Sequence, residues 1–296
     1  MDDINMLQKR KQRTVNAARP AIAGRLIASG AVLLLGAGVG HAPVKAEIKP
    51  VQAPSKAPAP AALLDFLKQM DAAASRKDFD TTLKFYSPNF KHADGLNSKT
   101  LGEALKSFWQ QNQSVQYQTQ IDSWKAQGPD AYSLETTTTI QGIQKAADRD
   151  MKLTSTVRSR VTIANQTLTS QEILGEQTRL TTGVKPPVVQ VNLPEQVNVG
   201  QSFNFDAVVK DPLGNNLLLG SAVEEPITSE QYLQRKEVTL EPLSSGGLFK
   251  VGQAPKQPTR QWISAVLVQE GGMTIVSQRL NVVQSGAPTP KPVKPQ

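Results

Sequence analysis

Near Asn112 the spacing of apolar residues changes from about four to two, and no helical spacing of any length returns beyond it. The chain must therefore place its helices before that point and build the rest from strands. Upstream, Leu63, Phe66, Leu67, Met70, Ala73 and Ala74 mark one face of a helix that opens after Pro60, a residue suited to a first turn. Asp78 is placed to cap a short second helix with Phe79, Leu83 and Phe85 inward. That helix must stop before Pro88, because the residue preceding a proline avoids the α region. The pattern Thr100-Leu-Gly-Glu103 reads as a capping box opening a third helix, with Leu101, Ala104, Leu105, Phe108 and Trp109 along one stripe.

Downstream, four strand runs are expected at about 115–124, 132–143, 151–163 and 167–182. In the third, Leu153, Ser155, Val157, Ser159, Val161 and Ile163 share one face. Lys152, Thr154, Thr156, Arg158, Arg160 and Thr162 share the other, which reads as solvated. Short connections such as Gly128-Pro129-Asp130 suit antiparallel neighbours. The fold expected for residues 63–182 is an α+β cone, three helices on one side of a curved antiparallel sheet.

This element order, with Ser75-Arg-Lys-Asp78-Phe-Asp80 leading into Phe85-Tyr-Ser-Pro88-Asn-Phe90, resembles the NTF2-like (SnoaL-like) superfamily over residues 63–182. The resemblance implies a cavity between helices and sheet, with His92 near its mouth. Members of that family include isomerases, dehydratases, hydrolases, adaptors and inert binding modules, so the fold does not choose among them. Its enzymes place an Asp or His deep on the cavity face, where the third strand here offers only serines and aliphatics.

Residues 1–46 carry Lys9, Arg10, Lys11, Arg13, Arg19 and Arg25, then an uncharged run from Leu26 to Val39 and the small-residue stretch Val44-Lys45-Ala46. This is the order of a bacterial export signal, without the arginine pair of the twin-arginine route. Cleavage is expected after Ala46 or Ala42. The alternative is an uncleaved anchor, but about 14 apolar residues rise only about 21 Å against a hydrocarbon core of about 30 Å. The chain is therefore expected outside the cytoplasm, in the periplasm or, in a photosynthetic source, a thylakoid lumen. The signal holds seven Lys/Arg and two Asp/Glu, so +5 of the formal net charge of +8 lies there and +3 remains. With no basic cluster interleaved with aromatics, nucleic acid is not an expected partner. The chain has no cysteine, which excludes disulfides, thiolate zinc sites and a lipid-bearing cysteine.

Residues 47–62 read as a Pro/Ala-rich disordered tether and 285–296 as a Pro/Lys-rich tail. Gly183-Val-Lys-Pro186-Pro187 marks a linker (183–187) between two independently folded units. Beyond it, residues 188–284 show short strand patterns and a hairpin signal at Gln269-Glu-Gly-Gly-Met273. The stretch Leu193-Pro-Glu-Gln-Val-Asn-Val-Gly200-Gln-Ser-Phe-Asn-Phe205 resembles the opening of bacterial immunoglobulin-like β-sandwich domains, with Trp262 as a core candidate.

His92 is the one histidine outside the signal, so any His-based catalytic set or metal site must use it. Asp94 could orient it, although a polar turn ending in Gly95 explains both. Glu135 and Glu172 read as solvent-facing strand carboxylates. No cofactor or metal site is expected: the glycine alternation Gly36–Gly40 lies within the signal, and Asp211–Asn216 reads as a turn. Three functions remain open. One is an exported, non-catalytic interaction or scaffold protein of the cell envelope, without a membrane span after cleavage, with an envelope protein as partner or a copy of itself through the sheet. Another is a carrier of a small apolar molecule, with Tyr86, Phe90, Phe108, Trp109, Tyr117 and Tyr132 walling a cavity and Ser155 and Ser159 facing it. The third is an isomerase- or hydrolase-type enzyme using His92 and Asp94.

Overall fold

The structure is a computed structural model that describes residues 58–146, 149–212, 214, 216–232 and 238–287. Residues 1–46, read as an export signal, and most of the stretches read as tether and tail lie outside the described residues. Helix α1 (Ala61–Ser75) buries Leu63, Leu67, Ala73 and Ala74. Helix α2 (Phe79–Lys84) is capped by the Asp78 carboxylate, which accepts from Thr81 N–H at 3.1 Å. The segment after it is a strand: β1 (Tyr86–His92) runs parallel to a later strand, with a register break between Tyr86 and Lys91 that absorbs Pro88. Helix α3 (Ser98–Gln111) starts earlier than expected. Its cap is Asn97, with Thr100 closing the box from N3 in place of Glu103.

Four long strands follow as a meander: β2 (Asn112–Gly128), β3 (Ala131–Ala146), β4 (Arg149–Ala164) and β5 (Thr167–Gly183). After them come β6 (Val189–Asn192), β7 (Gln196–Asn198), β8 (Ser202–Val209), β9 (Leu219–Pro226), β10 (Glu241–Pro242), β11 (Gly247–Gln253), β12 (Thr259–Gln269) and β13 (Gly272–Val283). The meander does not end at β5. One edge of β5 is shared: its start (Leu168–Gln171) pairs with β1 and its end (Gln177–Gly183) pairs antiparallel with β13. A single ten-stranded sheet results, in the order β10-β9-β12-β13-β5-β4-β3-β2, with β1 beside β5 and β7 beside β13.

This corrects the expected fold class. The described residues are 58 % strand with three helices, and one large sheet runs through both halves, instead of an α+β cone followed by a separate immunoglobulin-like sandwich. Periodicity reports which face of a strand is buried and is silent about which strand lies along each edge, so the β5–β13 junction could not be read from it. One core cluster accordingly runs from Leu63 and Phe108 through Leu153 and Leu180 to Val266 and Ile275. The other face of β12 and β13 is covered by a three-stranded sheet, β11-β8-β6, through Phe203, Phe205, Leu248, Ile263, Leu267 and Leu280.

The stretch read as a linker is held at both ends. Lys185 N–H donates to Gly271 O at 2.8 Å, and the Thr274 hydroxyl donates to Pro187 O at 2.7 Å. Gly183 has φ +103°, and a Cβ there would meet Gly271 O and Gly272 Cα at 2.5 Å. Gly183→Ala is therefore expected to destabilise the whole described chain by about 1–3 kcal/mol. Denaturant unfolding should remain one transition for both halves, with a lower midpoint. A variant that unfolds in two steps would show the β5–β13 junction to be dispensable.

Candidate functional site

The edge of β2 not paired to β3 is closed by side chains. Asp71 and Ser75, one turn apart on α1, accept from alternate edge amides: Thr119 N–H to Asp71 Oδ2 at 2.6 Å and Tyr117 N–H to Ser75 Oγ at 2.9 Å. Lys77, at φ +57°, donates to the carbonyls of Asn112 and Gln113. Helical i, i+4 spacing matches strand i, i+2 spacing closely enough for one helix face to stand in for a missing strand. Burial raises the Asp71 carboxyl above its ordinary range, opposed by the Thr119 hydrogen bonds. Burial and the Asp71 charge also raise the Tyr86 phenol, and burial raises that of Tyr117.

Beneath this edge, between the helices and the sheet, lies a cavity of about 60 Å³ bordered by Asp71, Tyr86, Tyr117, Thr136, Thr138 and Val157 among others. It has room for about two waters, against the roughly 300–1,000 Å³ that a small-molecule site needs. Of the ligand-binding residues expected from sequence, only Tyr86 and Tyr117 border it. Phe90 is packed edge-on against Tyr86 at 5.0 Å, and Phe108 is core. Trp109 donates its indole N–H to the Tyr117 hydroxyl at 3.0 Å. Tyr132 packs on Trp124 at the far end of the sheet. Ser155 is bonded to the Thr178 hydroxyl at 2.7 Å, while Ser159 is buried with its hydroxyl unpartnered.

His92 and Asp94 are brought together, though not at a cavity mouth. β1 and β13 meet β5 along the same edge, and the gap between them, opposite a bulge at Leu174 where the β4–β5 register skips a residue, is filled by a buried charged cluster. Asp94 accepts both terminal nitrogens of Arg279, at 3.2 and 2.9 Å, and the Tyr232 hydroxyl at 2.5 Å. Glu176 Oε2 accepts the Trp262 indole N–H at 3.0 Å and lies 3.4 Å from Arg279 Nη2. Arg260 donates to Ala93 O at 3.1 Å, and its Nε lies 3.8 Å from Asp94. His92, 2 % exposed, accepts Asp94 N–H on Nδ1 at 3.2 Å and lies 5.7 Å edge-on from Tyr232; its Nε2 has no partner.

Electrostatics follow from burial and from Arg279. Burial lowers the His92 imidazole to about 3, with Asp94 pulling it up and Arg279 and Arg260 pushing it down. Burial alone would raise the Asp94 carboxyl, but the charge and hydrogen bonds of Arg279, aided by His92 and Tyr232, hold it at about 2. For Arg279, burial opposes the cation and is outweighed by Asp94, Tyr232 and Glu176. Near neutral pH the cluster therefore holds a neutral His92, an ionised Asp94 and a cationic Arg279. With Nδ1 accepting the Asp94 N–H, the neutral ring carries its hydrogen on Nε2, a donor without a partner, so the imidazole has no free lone pair with which to take up a proton.

Outside this seam, a groove of about 640 Å³ is lined by Arg158, Arg160, Glu135, Glu172 and Arg260. Arg160 is paired with Glu135 at 2.8 Å and Glu172 at 2.9 Å on a solvated face. Arg158, expected on that same solvated face, is instead buried, because Glu195 of the second half covers it at 2.9 Å.

Sequence reasoning missed Asp71, Glu176, Tyr232 and Arg279. A signal existed for three of them. Arg279 and Glu176 stand beside apolar residues on β13 and β5, next to Leu280 and two residues after Leu174, and Asp71 lies four residues from both Leu67 and Ser75, at the margin of the buried stripe of α1. Among the described residues, no group of three or more His, Asp or Glu is placed to hold a metal. No described helix is long and apolar enough to cross a membrane.

Residues 184–283 match a family model described as "Domain of unknown function (DUF8623)". No curated protein matches the chain. The matched segment begins directly after β5 and ends with β13, so it takes in Tyr232, Trp262 and Arg279 of the cluster but not His92, Asp94 or Glu176.

Proposed function

We propose that this chain is an exported, non-catalytic interaction protein of the bacterial cell envelope. One observation carries the reading: His92 and Asp94, the pair on which an acid-base site would have to rest, are committed to the buried seam that joins the two halves. The basic, apolar and small-residue order of residues 1–46 supports export. The space of about 60 Å³ beneath α1 argues against the carrier.

The test is crosslinking of the full chain in envelope fractions, followed by native mass spectrometry of the purified protein. A reproducible protein partner with no retained small molecule supports the reading. A stoichiometric small ligand overturns it in favour of a carrier. Ser159→Phe is an independent check. Ser159 does not border the cavity and is closely surrounded, so phenylalanine should overpack the core and cost about 1–3 kcal/mol. A neutral substitution would mean that the interior opens in solution.

A further inference from the structure

The edges of this β structure are not protected alike. The β2 edge is capped by Asp71, Ser75 and Lys77 of the α1 region, β10 is two residues long and contains Pro242, and β6 is four residues long with Arg179 donating to Val189 O at 3.0 Å. The seven-residue β11 lies at the other end of the small sheet and, among the described residues, pairs only with β8. Its outward-facing residues are apolar and uncovered: Phe249 is 56 % exposed and Val251 78 %. An uncovered apolar edge is a standing template for strand pairing, which folded chains normally blunt.

The register shows which backbone groups are free. Val209 N–H donates to Gly246 O at 2.8 Å and Ala254 N–H to Gln201 O at 2.9 Å. With Gly247 opposite Val208, it is therefore the even-numbered residues of β11 that exchange hydrogen bonds with β8. The N–H and C=O of Phe249 and Val251 point the other way, off the sheet. Gly247 and Gly252, where any Cβ would strike Ala207 O or the Phe203 ring at 2.4 Å, keep β11 tight against β8 at both ends of this stretch.

Lys250, exposed between the two apolar residues, selects the occupant. A two-fold pairing of β11 with a second copy that sets Phe249 beside Val251 would oppose Lys250 to its own copy, and like charges directly opposite one another destabilise a strand pair. An acidic residue at that position would be favourable. We infer that β11 is a docking edge for an extended antiparallel strand of another protein that carries an apolar, an acidic and an apolar residue at three consecutive positions. The outer two make backbone hydrogen bonds to Phe249 and Val251 and pack beside their side chains, and the acidic one faces Lys250. This assignment rests on the interaction-protein reading above and names one of its surfaces.

The probe is a capped heptapeptide, Ser-Thr-Val-Glu-Val-Thr-Ser, titrated into the full chain labelled with ¹⁵N, with a second peptide bearing lysine in place of glutamate as control. The expected result is amide shifts centred on Phe249 and Val251, slowed exchange at those two amides, and binding of the glutamate peptide at least about fivefold tighter than the lysine peptide. Lys250→Glu should reverse that preference. Val251→Pro removes an amide that β8 does not use, so the fold is retained and binding should be lost. Equal binding of both peptides, shifts away from β11, no binding, or concentration-dependent dimers abolished by Val251→Pro would each overturn the assignment. Those outcomes leave the interaction reading standing, because its own test is capture by the full chain.

Discussion

Asp94→Ala is expected to cost about 3–5 kcal/mol, because it removes the bidentate partner of Arg279 and leaves that buried cation with one carboxylate, Glu176, at the longer distance of 3.4 Å. Arg279 is fully buried, and its short contacts are the two Asp94 oxygens at 3.2 and 2.9 Å; Glu176 lies at 3.4 Å. The partners are 185 residues apart and come from opposite halves, so the loss should appear as a lower midpoint of one denaturant transition monitored over the whole chain. A cycle separates the pair from its burial cost. Asp94→Leu combined with Arg279→Leu should be clearly less damaging than the sum of the single substitutions, since the double variant buries no unpaired charge. If the single substitutions are additive, or if Asp94→Ala costs under about 1 kcal/mol, the cluster does not hold the halves together.

Acid should weaken the same seam, and the sign is common to both titrating groups. His92 stays neutral in the fold down to about 3, whereas its unfolded value is 6.5, so between these limits the unfolded chain binds the extra proton and stability falls as pH falls. Asp94 is held at about 2 against 3.8 unfolded, so its contribution is complete above 3.8 and is lost as pH drops toward 2. At about 1.4 kcal/mol per pH unit, the His92 effect alone approaches about 3 kcal/mol at pH 4.5, a fall in melting temperature on the order of 6–12 °C for a chain of this size. His92→Asn keeps an acceptor near Asp94 N–H without a basic nitrogen. It should flatten the melting temperature between pH 6.5 and 4, whatever its cost at pH 7.5. Parallel pH profiles for the variant and the parent would remove His92 as the source.

Much of the local structure was decided by short-range chemistry. The Asp78 cap, the stripe of α3, the alternation along β4 and the Gln269–Gly272 hairpin each depend on residues within a few positions of one another. Identity of neighbours was decided only in three dimensions. An alternating strand looks the same whether its edge meets the next hairpin strand or one about a hundred residues away, so the ten-stranded sheet, and with it the fold class, stayed hidden until β13 was seen along β5. The same limit applies to charges. Arg158 and Arg160 are two residues apart on one strand face, yet only Arg158 is covered, by Glu195 from the other half. A turn explained His92 and Asp94 adequately on local grounds. That they close a seam depends on Arg279, Glu176 and Tyr232, which only the tertiary fold carries to them, because a lone buried charge is tolerable solely where opposite charges and donors converge on it.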